Sequence, residues 1–251
     1  MGLFDRSVSK LSGKTTLLLP ADPGGALLDA ARLYDPGVRS WLGRLVFVNG
    51  VLLFGPVPVT PKLEQQAGLP AGMAVAYYTA AALQGHRDRR DHDAKQSDGD
   101  RLVRGLADRL GGTVTYAGPP PDLALVTSVY SEQAPAPDQV IEVLRPYGGD
   151  FKVEDQTDNS YSLSGPKIYF YVAYWSPRFY REPEAPPALG PLRSRPLHHW
   201  DLHAGAGRKN VARELAGKVG EGALALASRC GGIALDELGF PFSSPDDLLP
   251  R

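Results

Sequence analysis

Leu106-Ala-Asp-Arg-Leu-Gly-Gly112 and Leu226-Ala-Ser-Arg-Cys-Gly-Gly232 follow one pattern, Leu-Ala-x-Arg-x-Gly-Gly, in the two halves of the chain. Each ends an apolar-periodic segment: Leu102-Val103, Leu106 and Leu110 in the first, Val211 to Ala227 in the second. Glycine after the last periodic residue stops a helix, because it accepts the left-handed conformation at no steric cost. A short β-prone run follows each pair, Thr113 to Tyr116 and Ile233 to Leu235. Both halves therefore predict helix, Gly-Gly, strand at their ends.

Working outward, the first half predicts a strand at Thr15 to Leu19, a helix over Ala26 to Tyr34 and an end to it at Asp35-Pro36-Gly37. Leu45-Val-Phe-Val48, Asn49-Gly50 and Val51-Leu-Leu-Phe54 predict a hairpin with a type I′ turn, since both turn residues tolerate positive φ. Met73 to Leu83 reads as a strand and the charged run His86 to Asp100 as a loop. The second half predicts a strand at Leu123 to Tyr130, a helix from Pro137 to Tyr147, a hairpin around Thr157-Asp158-Asn159-Ser160, and a strand at Ile168 to Trp175. A Pro/Arg-rich loop at residues 176–207 then leads to the last helix. The shared order points to an internal duplication. The fold class expected is α+β, two similar units (strand-helix-hairpin-strand-helix-strand) packed as an internal pseudo-dimer, 1–118 and 122–251, joined at Gly118-Pro-Pro-Pro121. That order resembles a ferredoxin-like unit with one extra strand, a likeness of fold that carries no function.

Composition bounds the function. The chain has 251 residues, net charge −1, 43% hydrophobic and 22% charged residues, values of a folded globular protein. The slight acidity argues against a nucleic-acid coat. The single cysteine, Cys230, excludes an internal disulfide and a Cys-rich zinc site. Met1 to Lys14 lacks the apolar core of a signal peptide, and no run approaches the ~18 apolar residues of a membrane span. No membrane partner and a cytoplasmic location are expected. Leu3, Phe4, Val8 and Leu11 form one short apolar face that reads as a frayed terminus.

Chemical motifs are sparse. Gly13-Lys14-Thr15-Thr16 fails as a phosphate-binding loop, because Val8 stands where the first glycine belongs and a strand follows. No Ser lies in a Gly-x-Ser-x-Gly elbow. All five histidines fall in two segments, His86 and His92 in the first half, His198, His199 and His203 in the second. They are read as equivalent loops. Asp91 and His92, and above all His198, His199, Asp201 and His203, supply imidazole and carboxylate, the donors a divalent metal takes. The plain reading is a solvated His-bearing loop pinned to the core by Trp200. The loop at 176–207 also interleaves Arg178, Arg193 and Arg195 with Trp175, Tyr180 and Trp200, the residue types of protein–protein hot spots.

Three function classes follow. The leading expectation is a non-catalytic binding or regulatory protein that presents the aromatic/Arg loop to a protein partner. The second is a metal-dependent enzyme, a hydrolase, using the His/Asp loop at 198–203. The third is an anion or nucleotide binder using the same arginines.

Overall fold

The computed structural model describes residues 3–81, 89–120, 126–165, 170–178, 185–204 and 213–248. The protein is α+β, with two six-stranded antiparallel sheets. It divides into two compact units, Met1–Asp122 and Leu123–Pro250.

The first unit runs α1 (Leu3–Leu11), β1 (Thr16–Leu19), α2 (Gly25–Tyr34), β2 (Arg39–Trp41), β3 (Arg44–Val46), β4 (Val51–Pro58), α3 (Pro61–Ala67), β5 (Val75–Ala81), α4 (Arg89–Leu110) and β6 (Thr113–Thr115). Its sheet order is β2-β3-β4-β5-β1-β6. The second unit runs β7 (Val126–Ser131), α5 (Pro137–Gly148), β8 (Lys152–Gln156), β9 (Ser160–Ser164), β10 (Phe170–Arg178), a 3-10 segment (Pro187–Ser194), β11 (Leu197–Ala204), α6 (Arg213–Cys230) and β12 (Ile233–Leu235). Its order is β12-β7-β11-β10-β9-β8, the first sheet read from its other edge. In both, the first strand is flanked by the fifth and the last.

The Gly-Gly pairs do one job in both units. Gly111 and Gly231 take φ +66° and +63°. The next amide, of Gly112 or Gly232, donates to the carbonyl of Ala107 or Ala227 at 2.9 and 2.8 Å. This is the Schellman closure of a helix. The second glycine is required for space. A Cβ there would lie 2.5 Å from the Leu18 carbonyl oxygen in the first unit and 2.5 Å from that of Tyr130 in the second.

Register extends the correspondence along the strands. Thr16 pairs with Tyr78 and Thr115, and Ser128 with Asp201 and Leu235. Leu18 therefore corresponds to Tyr130, Ala76 to His199, Tyr78 to Asp201 and Ala80 to His203. One strand further, Leu52, Phe54 and Val57 correspond to Tyr171, Ala173 and Trp175.

One face of each sheet carries two long-range helices. In the first unit α4 lays Leu102, Val103 and Leu106, all fully buried, over β1 and β5, with α2 beside it. In the second, α5 and α6 pack on Val129, Val172, Trp200 and Leu202. Full burial of each such side chain stabilises by about 1.5–3 kcal/mol. The opposite faces differ. In the first unit α1 and α3 cover part of it, Leu11, Val8 and Leu63 packing on Leu18, Val57, Ala76 and Tyr78. Thr60 caps α3, its hydroxyl accepting from Leu63 N at 3.2 Å ahead of Pro61. In the second unit the 3-10 segment, with Ala185 just before it, covers part of that face, Ala185, Ala188 and Leu189 packing against Tyr130, Leu197 and Leu235. Among the described residues, nothing in the second unit corresponds to α1.

Several expectations are corrected. Each sheet has six strands, not five. Residues 176–207 are not one long loop: β10 continues to Arg178, and β11 occupies Leu197–Ala204. The charged run is not a loop from Arg89 onward but the start of α4. The N-terminal segment is a helix docked on the sheet through Val8 and Leu11, not a frayed end, with the side chains of Leu3 and Phe4 outside the described residues. The Asn49-Gly50 turn is not type I′. Only Gly50 takes positive φ (81°), and Gly50 N donates to Phe47 O at 3.0 Å, a type I turn closed by a bulge glycine. Asn49 turns inward instead, its side chain bonding Tyr34 and Val51 N at 3.3 Å each.

Candidate binding face on the second sheet

Strand alternation sorts the predicted site residues onto two faces. Trp200 belongs to the core: it is fully buried, and its Nε1 donates to Tyr161 Oη at 3.0 Å. That removes it from any partner-binding surface. His198 shares this face, with Nδ1 2.8 Å from Tyr174 Oη. Burial holds the His198 imidazole below its ordinary range. His199, Asp201 and His203 lie on the opposite face with Tyr171, Ala173 and Trp175 of β10. The expected helical i, i+4 relation of His199 and His203 is thus replaced by a strand relation, with Asp201 between them.

Asp201 is the centre of this face. Ser128 Oγ donates to Asp201 Oδ1 at 2.5 Å, and His199 Nε2 lies 2.7 Å from the same oxygen. Burial pushes this carboxyl up, but His199, Ser128 and His203 outweigh it and leave the group below its ordinary value, ionised at neutral pH. The His199 ring is stacked on Tyr130, centroids 4.4 Å apart, with Trp175 at 5.0 Å on a tilt. The His203 ring meets the Tyr171 ring edge-on at 5.9 Å. Burial holds the His203 imidazole down, with Asp201 opposing. Tyr171 is 41% exposed.

The remaining predicted residues are dispersed. Arg195 Nη1 donates to both carboxylate oxygens of Glu132, at 2.9 and 2.8 Å, on the surface, a contact worth about 0–1 kcal/mol. Arg193 is half-buried in the 3-10 segment. Arg178 ends β10 opposite Leu197, with its side chain outside the described residues, and Tyr180 lies outside them altogether. Asp91 and His92 are on α4, their side chains outside the described residues, as is His86. They are not equivalent to the His198–His203 segment, whose counterpart is β5. Cys230 is buried and structural: Sγ donates to Leu226 O at 3.0 Å, and burial pushes the thiol up.

Chemically, the Ser128–Asp201–His199 group is a carboxylate with two partners. The serine hydroxyl bonds the acid and not the imidazole, so it lacks the serine–imidazole contact of an activated nucleophile. Among the described residues no three His, Cys, Asp or Glu side chains are placed to hold a metal ion. Among them, too, no helix is long and apolar enough to cross a membrane. Ser128, Tyr130, Ser162, Tyr171 and Ala173 escaped the sequence reading, because only strand register brings them to His199 and Asp201.

A pH dependence follows. Depressed folded values at His198 and His203 contribute stability that is fully present above the free value of 6.5 and is lost as pH falls below it. Asp201, also depressed, loses its contribution only below 3.8. The denaturant midpoint read by Trp175 and Trp200 emission is expected to fall from pH 7.5 to 5.5. The fall should be shallower in His203→Ala. A midpoint flat over this window in the unsubstituted protein would contradict the assignment.

Comparison of the chain with protein-family models, curated proteins and solved structures finds no match.

Proposed function

We propose that this is a non-catalytic binding protein that engages a protein partner through the half-covered face of its second sheet, around Tyr171, Trp175, Asp201 and His203. One observation carries the reading. The corresponding face of the first unit is apolar and packed in part under α1 and α3, whereas in the second the residues at Ala76, Tyr78 and Ala80 are His199, Asp201 and His203, and Tyr171 stands 41% exposed. Tyr and Trp on such a face combine large contact area with a polar tip.

The two units are read as copies of one strand-helix-four-strand-helix-strand element. The common sheet order, the common register and the common Schellman closure support this. Within each copy the strands β4, β5, β1 and β6, or β10, β11, β7 and β12, follow the ferredoxin-like order, with β2–β3 or β8–β9 as an added hairpin.

The test places a photo-crosslinking phenylalanine derivative at Tyr171, and at Val153, also exposed at 44%, as control. A discrete adduct from position 171, absent from position 153 and abolished by Trp175→Ala, is expected. Equal labelling from both positions, or an adduct insensitive to Trp175→Ala, would overturn the reading.

A further inference from the structure

We propose that the second unit holds a cationic side chain, that of lysine or arginine, in a slot floored by Ala173 between Ser162 and Asp201; this rests on reading the same face as a protein-binding surface.

The slot is defined by register. Ser162, Ala173, Asp201 and Ser128 lie in one cross-strand row, and Tyr171 and Trp175 stand two residues either side of Ala173 on the same face. With strands ~4.8 Å apart and ~3.4 Å per residue, Ser162 and Asp201 are about 10 Å apart and the aromatic positions about 13 Å apart along β10. In the first unit this place is filled: Phe54 stacks on Tyr78, centroids 5.3 Å apart and planes 9° from parallel. Ala173 and Asp201 replace both rings with a methyl group and a carboxylate. Ala173 is only half-buried, so the floor is open to solvent.

Three further observations select a cation. Both hydrogen bonds to Asp201 end on Oδ1, which leaves Oδ2 with none among the described residues. Ser162, at 6% exposure, has a buried Oγ with no hydrogen-bond partner among the described residues, a group that gains from one. In the first unit a cation of the chain itself occupies the neighbourhood: Lys14 Nζ lies 4.4 Å from the Tyr78 ring centroid. By register the counterpart of Lys14 is Val126, which carries no charge. An ammonium or guanidinium donating to Oδ2, with Tyr171 and Trp175 as aromatic flanks, meets these groups. An anion would face Asp201, and an apolar group would leave Oδ2 and Ser162 unmet.

The probes are Nα-acetyl-arginine amide and Nα-acetyl-lysine amide, with the norleucine and glutamate amides as controls. Each is titrated into the full chain, read by Trp175 emission and by amide NMR shifts around Ala173. Saturable binding of the cationic probes is expected, with Kd on the order of 1–10 mM. Ala173→Phe, which restores the ring of the first unit, and Asp201→Asn should each weaken it at least about tenfold, ~1.4 kcal/mol. Non-saturable response, or equal binding of the norleucine amide, would overturn the proposal. If the position-171 adduct forms but no cationic probe binds, the slot is wrong and the partner face stands. If the probes bind and no adduct forms, the slot takes a small organic cation and the partner reading falls.

Discussion

Replacing Gly232 by alanine should destabilise the second unit by about 3 kcal/mol, and Gly112→Ala should do the same to the first. The reason is the backbone of the opposing strand. A Cβ at Gly232 would sit 2.5 Å from Tyr130 O and 3.0 Å from Ser131 Cβ, and a main-chain carbonyl of a strand paired on both sides cannot swing aside as a side-chain tip can. The preceding glycine is the control. A methyl group at Gly231 would have nothing within 4 Å, so alanine there meets only the left-handed backbone penalty, about 1–2 kcal/mol. Denaturant unfolding of the Gly112, Gly232 and Gly231 variants, with Gly111→Ala beside them, measures this. A larger loss at Gly231 than at Gly232 would refute the steric explanation.

Trp200→Ala should be the most destabilising single substitution in the second unit, at about 3–5 kcal/mol. The side chain is fully buried among Val129, Leu202, Val219 and Ala223, 5.2 Å from the Tyr174 ring. Its loss removes apolar area, leaves a cavity and strips Tyr161 Oη of its donor. Typical domains have only about 5–15 kcal/mol in total, so this variant should melt far below the parent. A surface Trp reserved for a partner would change stability by no more than about 0.5 kcal/mol. Equilibrium unfolding followed by circular dichroism separates the outcomes.

These two sites also show what was legible in the sequence. Both Gly-Gly pairs announced themselves, because a helix stop that needs φ near +60° admits few other residues. The first strand, the asparagine-containing hairpin and both closing helices were legible for the same local reasons. What was lost was non-local. β2 is three exposed residues, Arg39-Ser40-Trp41, with no alternation to betray it. β11 does alternate, Trp200 and Leu202 inward and His199, Asp201 and His203 outward, but imidazoles and carboxylates at spacing two mimic a ligand loop. Missing one strand in each half then shifted the equivalence of the halves, and matched His198–His203 to His86–His92 instead of to β5. The site itself is a row across four strands. Ser162, Ala173, Asp201 and Ser128 are neighbours only through pairing, which no local pattern specifies.

The sheet order has a consequence for synthesis. β1 is made early, yet its two neighbours are β5 and β6, the last strands of the unit. Leu18 and the apolar stripe of α1 therefore wait for Ala76, and the sheet is not closed until Thr113–Thr115 has left the ribosome. At roughly 5–20 residues per second that interval lasts several seconds. Loop closure over such separations is also intrinsically slow. The second unit repeats the delay, with β7 waiting for β11 and β12. Each half thus passes through a period in which its first strand has neither of its partners, and a nascent-chain holdase would find its binding site there, at the beginning of each repeat.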